Sequence, residues 1–201
     1  MLPGQGYYDL LANFHEWLRP KNYFEIGVNT GSSIALAKSP TVVVGVDPNP
    51  RLLKSPKTFY KIFSLTSDEY FATRDVCRDL EAETVDFEFI DGLHLFEQVV
   101  RDFINIERVS NPNTLVLIHD TFAIDTLTAN RRRSTWFWTG DVWKIIPCLS
   151  ELRPDLEVFT IATPPSGLSV VSNLDCHSTM PGPLALTAPP DECDQDPDAK
   201  E

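Results

Sequence analysis

Positive charge is what this chain most lacks: 17 Lys and Arg stand against 29 Asp and Glu in 201 residues, a net charge of −12. A surface of that sign does not hold nucleic-acid phosphates or anionic lipid through bulk electrostatics. A small molecule is therefore the expected substrate, with neither nucleic acid nor membrane as partner. Cysteine is also scarce. Cys77, Cys148, Cys176 and Cys193 are scattered and none forms a CxxC pair, which argues against a zinc site or a disulfide framework and fits reduced thiols in a cytoplasmic protein. No run approaches the roughly 18 apolar residues of a membrane helix, and the start lacks a basic stretch followed by an apolar one. Neither export nor membrane spanning is expected.

What is present is an alternation of short apolar runs and helical patterns. Tyr7 to Leu18 places Leu10, Leu11, Phe14, Trp17 and Leu18 on one helical face and stops at Arg19-Pro20. An extended run, Tyr23 to Gly27, leads through the turn Val28 to Gly31 into a segment, Ser32 to Lys38, that suits a helix. Thr41 to Val46 is a β-branched run of the kind buried on both faces of a parallel sheet, and it ends at Asp47.

Further strands are predicted at Phe59–Phe63, Val85–Ile90, Thr114–Ile118, Leu156–Ile161 and Leu168–Val171. Helices are predicted from Ser67, as cap, toward Leu80, over Leu95–Arg108 and over Asp141–Leu149. The last two strands are joined by Thr163-Pro164-Pro165-Ser166-Gly167, too short for a helical crossover, so they should be antiparallel. The expected fold is α/β: a doubly wound seven-stranded sheet, mostly parallel, closed by an antiparallel hairpin, with ligands beyond the carboxyl ends of the strands. One domain is expected over residues 1–174, with an N-terminal covering helix. From Asp175 to Glu201 the chain turns to Pro, Asp, Thr and Ser, the composition of a disordered acidic tail.

Chemistry concentrates at the strand ends. Glu25, Gly27, Asn29 and Gly31 form E-x-G-x-N-x-G at the junction of the first strand and its turn, where glycine lets backbone N–H groups approach a ligand closely. Asp47, twenty residues after Gly27 and at the end of the next strand, can accept both hydroxyl protons of a ribose. Together they suggest an adenosine-bearing ligand. The glycines lack the G-x-G-x-x-G spacing that a pyrophosphate demands, the preceding acid suits a cationic ligand, and the closing hairpin points away from a dinucleotide fold.

On these residues, and on Phe89-Ile90-Asp91-Gly92-Leu93-His94 with Leu117-Ile118-His119-Asp120-Thr121, the sequence resembles the class I S-adenosylmethionine-dependent methyltransferases over about residues 20–172. The likeness is greatest to small-molecule methyltransferases whose fourth strand ends I-D-G-x-H. The resemblance implies a Rossmann-like fold and S-adenosylmethionine held by Glu25, Gly27, Asn29, Gly31, Asp47 and Asp91, with Ser64, Leu65 and Thr66 toward the adenine. It implies methyl transfer to an oxygen, or less readily a nitrogen, of a small acceptor, with His94, His119 and Asp91 as the catalytic set. Some relatives hold a divalent ion here, and Asp91 and Asp120, with an oxygen of Thr121 replacing the usual asparagine, are the candidate Mg²⁺ ligands.

The stretch Arg131 to Trp143 joins three arginines to three tryptophans. It can build a lid, a pocket for an anionic or ring-bearing acceptor, or a subunit contact of a homo-oligomer. Two other functions share the glycine loop and Asp47: a non-catalytic adenosyl-ligand binding protein and an NAD-dependent oxidoreductase.

Overall fold

The computed structural model describes residues 2–182. Strands β1 (Asn22–Ile26), β2 (Val42–Val46), β3 (Tyr60–Phe63), β4 (Phe87–Ile90), β5 (Leu115–His119), β6 (Glu157–Ile161) and β7 (Leu168–Ser172) form one sheet in the order β3-β2-β1-β4-β5-β7-β6. The first five pair in parallel, whereas β7 pairs antiparallel with both β5 and β6. This is the seven-stranded, mostly parallel sheet with a closing hairpin that the sequence pattern predicts. Because β1 lies between β2 and β4, the direction of winding reverses there, and a crevice opens beyond the strand ends at that switch point.

Each face of the sheet buries its own cluster. On one side α2 (Ser67–Thr73), α3 (Val76–Leu80), α4 (Phe96–Glu107) and α5 (Ile145–Leu152) cover Phe24, Val44, Ile90 and Ile118. On the other, α1 (Tyr7–Leu18) lies over Tyr23, Phe87 and Phe89. The inward face of α1 carries Leu11 and His15, while Trp17 is 70% exposed, so the predicted apolar face is rotated toward the helix's start.

Two predicted helices change form. Ser32 to Lys38 shortens to a single 3₁₀ turn, Ile34–Leu36, because the Ser33 hydroxyl is drawn to the Glu25 carboxyl instead of supporting a helical start. The helix toward Leu80 breaks into α2 and α3, since the Asp75 carboxylate accepts from the Arg78 N–H and starts a new helix there. Its first cap is Thr66, one residue before the predicted Ser67. Thr66 accepts from the Glu69 N–H while the Glu69 carboxylate returns the contact to the Thr66 N–H.

Asp175 and the residues after it lie against this fold as far as they are described. Arg153 is buried against Glu107, donates to the Ser178 hydroxyl at 2.6 Å, and Met180 packs into the α4–α5 side. The rest of the expected tail, 183–201, and with it Cys193, lies outside the described residues. No helix of the described residues is long and apolar enough to cross a membrane.

One core group opposes stability. Glu88, in the middle of β4, is fully buried with neither carboxyl oxygen partnered, and Asp102 on α4 leaves Oδ2 unpartnered as well. Burial, with the nearby Asp102 charge, pushes the Glu88 carboxyl well above the usual carboxylate range, and burial lifts Asp102 to about 6. A carboxyl raised in the fold binds a proton that the unfolded chain releases, so its contribution weakens as pH rises from the unfolded toward the folded pKa. Glu88→Met should therefore raise the unfolding free energy at pH 8 by about 1–3 kcal/mol and flatten the decline above pH 5, as read by urea denaturation.

Candidate active site

A cavity of about 830 Å³ opens over the carboxyl ends of β1 to β5. Its first wall is the turn after β1. Gly27 has φ +93°, and a Cβ there would collide with the Asp91 carbonyl, so only glycine lets the turn lie against the end of β4. Asn29 lies at φ 45°, the left-handed conformation a second glycine would adopt, which asparagine tolerates best among other residues. Its N–H donates to Asp47 Oδ2 at 2.7 Å, and Asp47 Oδ1 accepts from the Asn49 N–H at 2.7 Å. Asp47 thus ties the first two strand ends together while lining the cavity, with further lone pairs free for a ligand.

Four predicted contacts fall elsewhere. Glu25 is fully buried beneath the turn, accepting from the Tyr23 and Ser33 hydroxyls, and does not reach the cavity. Burial, only partly offset by those two donors, raises its carboxyl to about 8. Gly31 faces the backbone of Lys54 rather than the cavity. Of the residues after β3, Ser64 and Leu65 stay off the cavity, and Thr66, Ser67 and Asp68 line it instead, because the chain turns into α2 before it meets the crevice.

The second wall is built by the ends of β4 and β5. Asp91 Oδ1 lies 3.1 Å from His119 Nδ1 and 3.6 Å from His94 Nε2, while Asp120 Oδ2 lies 3.2 Å from His94 Nδ1. Asp120 takes φ 60° and accepts from the Ser166 hydroxyl, so a non-glycine residue is held in a costly conformation at the mouth of the cavity. Burial by itself pulls both imidazoles down, but the two carboxylates outweigh it, lifting His94 to about 9 and His119 above its usual value. Burial alone would raise Asp91, but the two histidines hold it well below the usual carboxylate range. Burial and the Asp91 charge raise Asp120.

Asp91, His94 and Asp120 bring one ligand atom each within 4.8 Å of one another. Thr121 does not join them, since its hydroxyl accepts from Ser169 at 2.7 Å on the buried side of β5. What converges is therefore two carboxylates with an imidazole between them, not three oxygens.

Two contributors were not among the expected site residues. Tyr7, the first residue of α1, lines the cavity and lies 4.1 Å ring to ring from His119, with its N–H donating to the Pro164 carbonyl. Gln98 on α4 lines it as well, tied to Ser67 and Asp102. The lining part of the Arg/Trp stretch is Trp136, Phe137 and Trp138. Trp138 stacks on His94 at 5.5 Å, and its carbonyl lies 3.0 Å from His94 Nδ1. Gly140, at φ 60°, lies so close to the His94 backbone that a Cβ would collide with it.

The model of the methyltransferase domain family matches residues 24–121, from β1 to the residue after Asp120. Over that segment, just under half of its length, the chain is similar to the methyltransferase domain family. No curated protein matches it in sequence. Among solved structures, cofactor-bound Rv0187 from MTB superposes with TM-score 0.64 at 14% identity, covering 87% of this chain and 84% of that one. The O-methyltransferase of Bacillus cereus in complex with SAH gives 0.61 at 14% identity, with 86% and 84% covered. TomG of Streptomyces achromogenes, an O-methyltransferase of tomaymycin synthesis in complex with SAM, gives 0.61 at 13%, with 84% and 79% covered. At these identities the likeness is one of fold.

The left-handed Asn29 offers a direct check on the turn. Asn29→Ala should cost about 1–2 kcal/mol, the penalty for a Cβ-bearing residue in that conformation. Asn29→Gly should change stability by a few tenths of that, both measured by urea denaturation.

Proposed function

We propose that the single domain of residues 1–174 transfers the methyl group of S-adenosylmethionine to an oxygen of a small-molecule acceptor. The observation that carries the reading is one continuous cavity. It joins the Gly27–Asn29 turn and Asp47 at one end to the Asp91, His94, His119 and Asp120 cluster at the other. Gly27 and Asn29 offer backbone to the methionine portion, Asp47 accepts the ribose hydroxyls, and Thr66 to Asp68 border the adenine. Glu25 and Gly31 act from beneath, by fixing the turn. The acidic lining suits a cationic cofactor.

S-Adenosylmethionine, when bound, supplies a methyl carbon activated by its sulfonium. The acceptor oxygen bonds to that carbon as the carbon–sulfur bond breaks, leaving a neutral thioether, and the hydroxyl proton must go to a base. His94 is the base in this reading. It is held between Asp91 and Asp120 beneath Trp138, and a cation bound beside it pushes its raised pKa back toward the neutral imidazole that accepts the proton. His119, deeper and packed under Tyr7, positions Asp91.

Magnesium has no part in this reading. Mg²⁺ selects near-octahedral oxygen ligands, whereas here an imidazole lies between the carboxylates and the Thr121 hydroxyl is turned away.

Calorimetric titration tests the cofactor assignment. S-Adenosylmethionine should bind the intact chain and NAD should not, and Asp47→Ala should weaken the former by about 10- to 100-fold, or roughly 1.5–3 kcal/mol for hydrogen bonds to a charged group. Binding of NAD alone, or an unchanged affinity in the variant, contradicts it. If S-adenosylmethionine binds but no acceptor is ever methylated, the chain is an adenosyl-ligand binding protein instead.

A further inference from the structure

The triple arginine marks Arg131 to Trp138 as a grip for an anionic acceptor, but the arginines are committed elsewhere. Arg131 forks onto Glu97 and lies 3.5 Å from Asp141. Arg133 donates to the Trp136 carbonyl at 3.1 Å, which shapes the loop. Arg132 is exposed and does not line the cavity. Among the described residues, no lysine or arginine lines the cavity at all. Its charged residues are Asp47, Asp68, Asp91 and Asp120, with only the two histidines in opposition.

The half of the cavity beyond His94 is apolar instead. Among its lining residues Trp136 is 93% exposed, Leu93 53% and Phe137 38%, and Pro165 lines it with them. Trp138 already packs one face on His94, and Tyr7 lies against His119 and Tyr8. Trp136 and Phe137 are the aromatic lining residues left to stack on a ligand. An indole that projects into water beside a ligand cavity gains from an incoming flat apolar surface. A sugar ring would need polar side chains converging on its hydroxyls, and Leu93, Phe137 and Pro165 do not supply them.

We infer that the acceptor is an uncharged or cationic aromatic hydroxyl compound, stacked on Trp136 and Phe137, and that carboxylated and phosphorylated acceptors, coenzyme A thioesters included, are excluded by the acidic lining. Exclusion is the stronger half. An anion entering this cavity meets four aspartates against two histidines. Although Arg101 lies 3.3 Å from Asp68, the lining keeps a net acidic balance, so like charge discriminates against an anion in a partly buried site. The inference rests on the methyltransferase reading of the same cavity.

The test uses the full chain saturated with S-adenosylhomocysteine, whose own binding is measured first. Three fluorescent probes of one shape are then titrated: 2-naphthol, 6-(aminomethyl)-2-naphthol and 6-hydroxy-2-naphthoate. The neutral and cationic probes should bind at least tenfold more tightly than the carboxylate. Trp136→Ala should weaken 2-naphthol about tenfold, and Trp136→Phe should restore most of the loss. A carboxylate probe that binds as well as 2-naphthol overturns the inference. So does an absence of binding by all three to the S-adenosylhomocysteine-loaded protein, or indifference to Trp136→Ala. Failure of S-adenosylhomocysteine itself to bind would overturn the methyltransferase reading, which is a separate result.

Discussion

The close approach of the β1 turn to the end of β4 is the constraint on which the site depends. Asp91 donates its N–H to the Ile26 carbonyl at 2.8 Å, and Gly27 leaves its side-chain space to the Asp91 carbonyl. With that contact in place the two ends of the cavity share a wall, because Gly27 leads to Asn29 and Asp47 while Asp91 leads to His94 and His119. A bulkier residue at 27 would part β1 from β4 at the point where the sheet reverses its winding. Parallel strands buried on both faces cannot easily yield there, since packed interiors transmit strain rather than absorb it.

Electrostatics are arranged around the same contact. Asp91 is shared by two imidazoles, so its charge is balanced inside the protein, and Asp120 closes the cluster from β5 in a left-handed conformation that Ser166 helps to hold. Glu25 and Glu88 lie on opposite faces of neighbouring strands with burial raising both carboxyls, but only Glu25 has donors to partner it. The difference separates a carboxyl that fixes the turn from one that burdens the core.

Much of this was legible in the sequence, for reasons that can be named. The order of strands and helices follows from β-branched runs such as Val42 to Val46 and from the helical spacing of Val99, Val100, Phe103 and Ile106. The hairpin follows from a six-residue connection, 162–167, that no helix could fill. Asp47, Asp91, His94, His119 and Asp120 were legible as a group because strand ends in such a sheet face a common crevice. Contacts that depend on side-chain direction were not legible. Glu25 reads as a ligand contact by position, yet it points into the sheet toward Tyr23 and Ser33. Thr121 reads as a third oxygen, yet it turns to Ser169. Tyr7 arrives from a helix 112 residues away in sequence from His119, and only tertiary packing brings its ring there. Arg131 reads as a free cation until Glu97 and Asp141 are found against it.

The central claim is that one cavity holds an adenosyl ligand with its sulfur directed at the His94 cluster. A crystal structure of the chain with S-adenosylhomocysteine tests it most directly. The account predicts the ribose hydroxyls on Asp47, the homocysteine portion along Gly27 and Asn29, and the sulfur facing the space between His94 and Trp136. A ligand bound outside the β1 turn, or one whose sulfur faces away from His94, would contradict it.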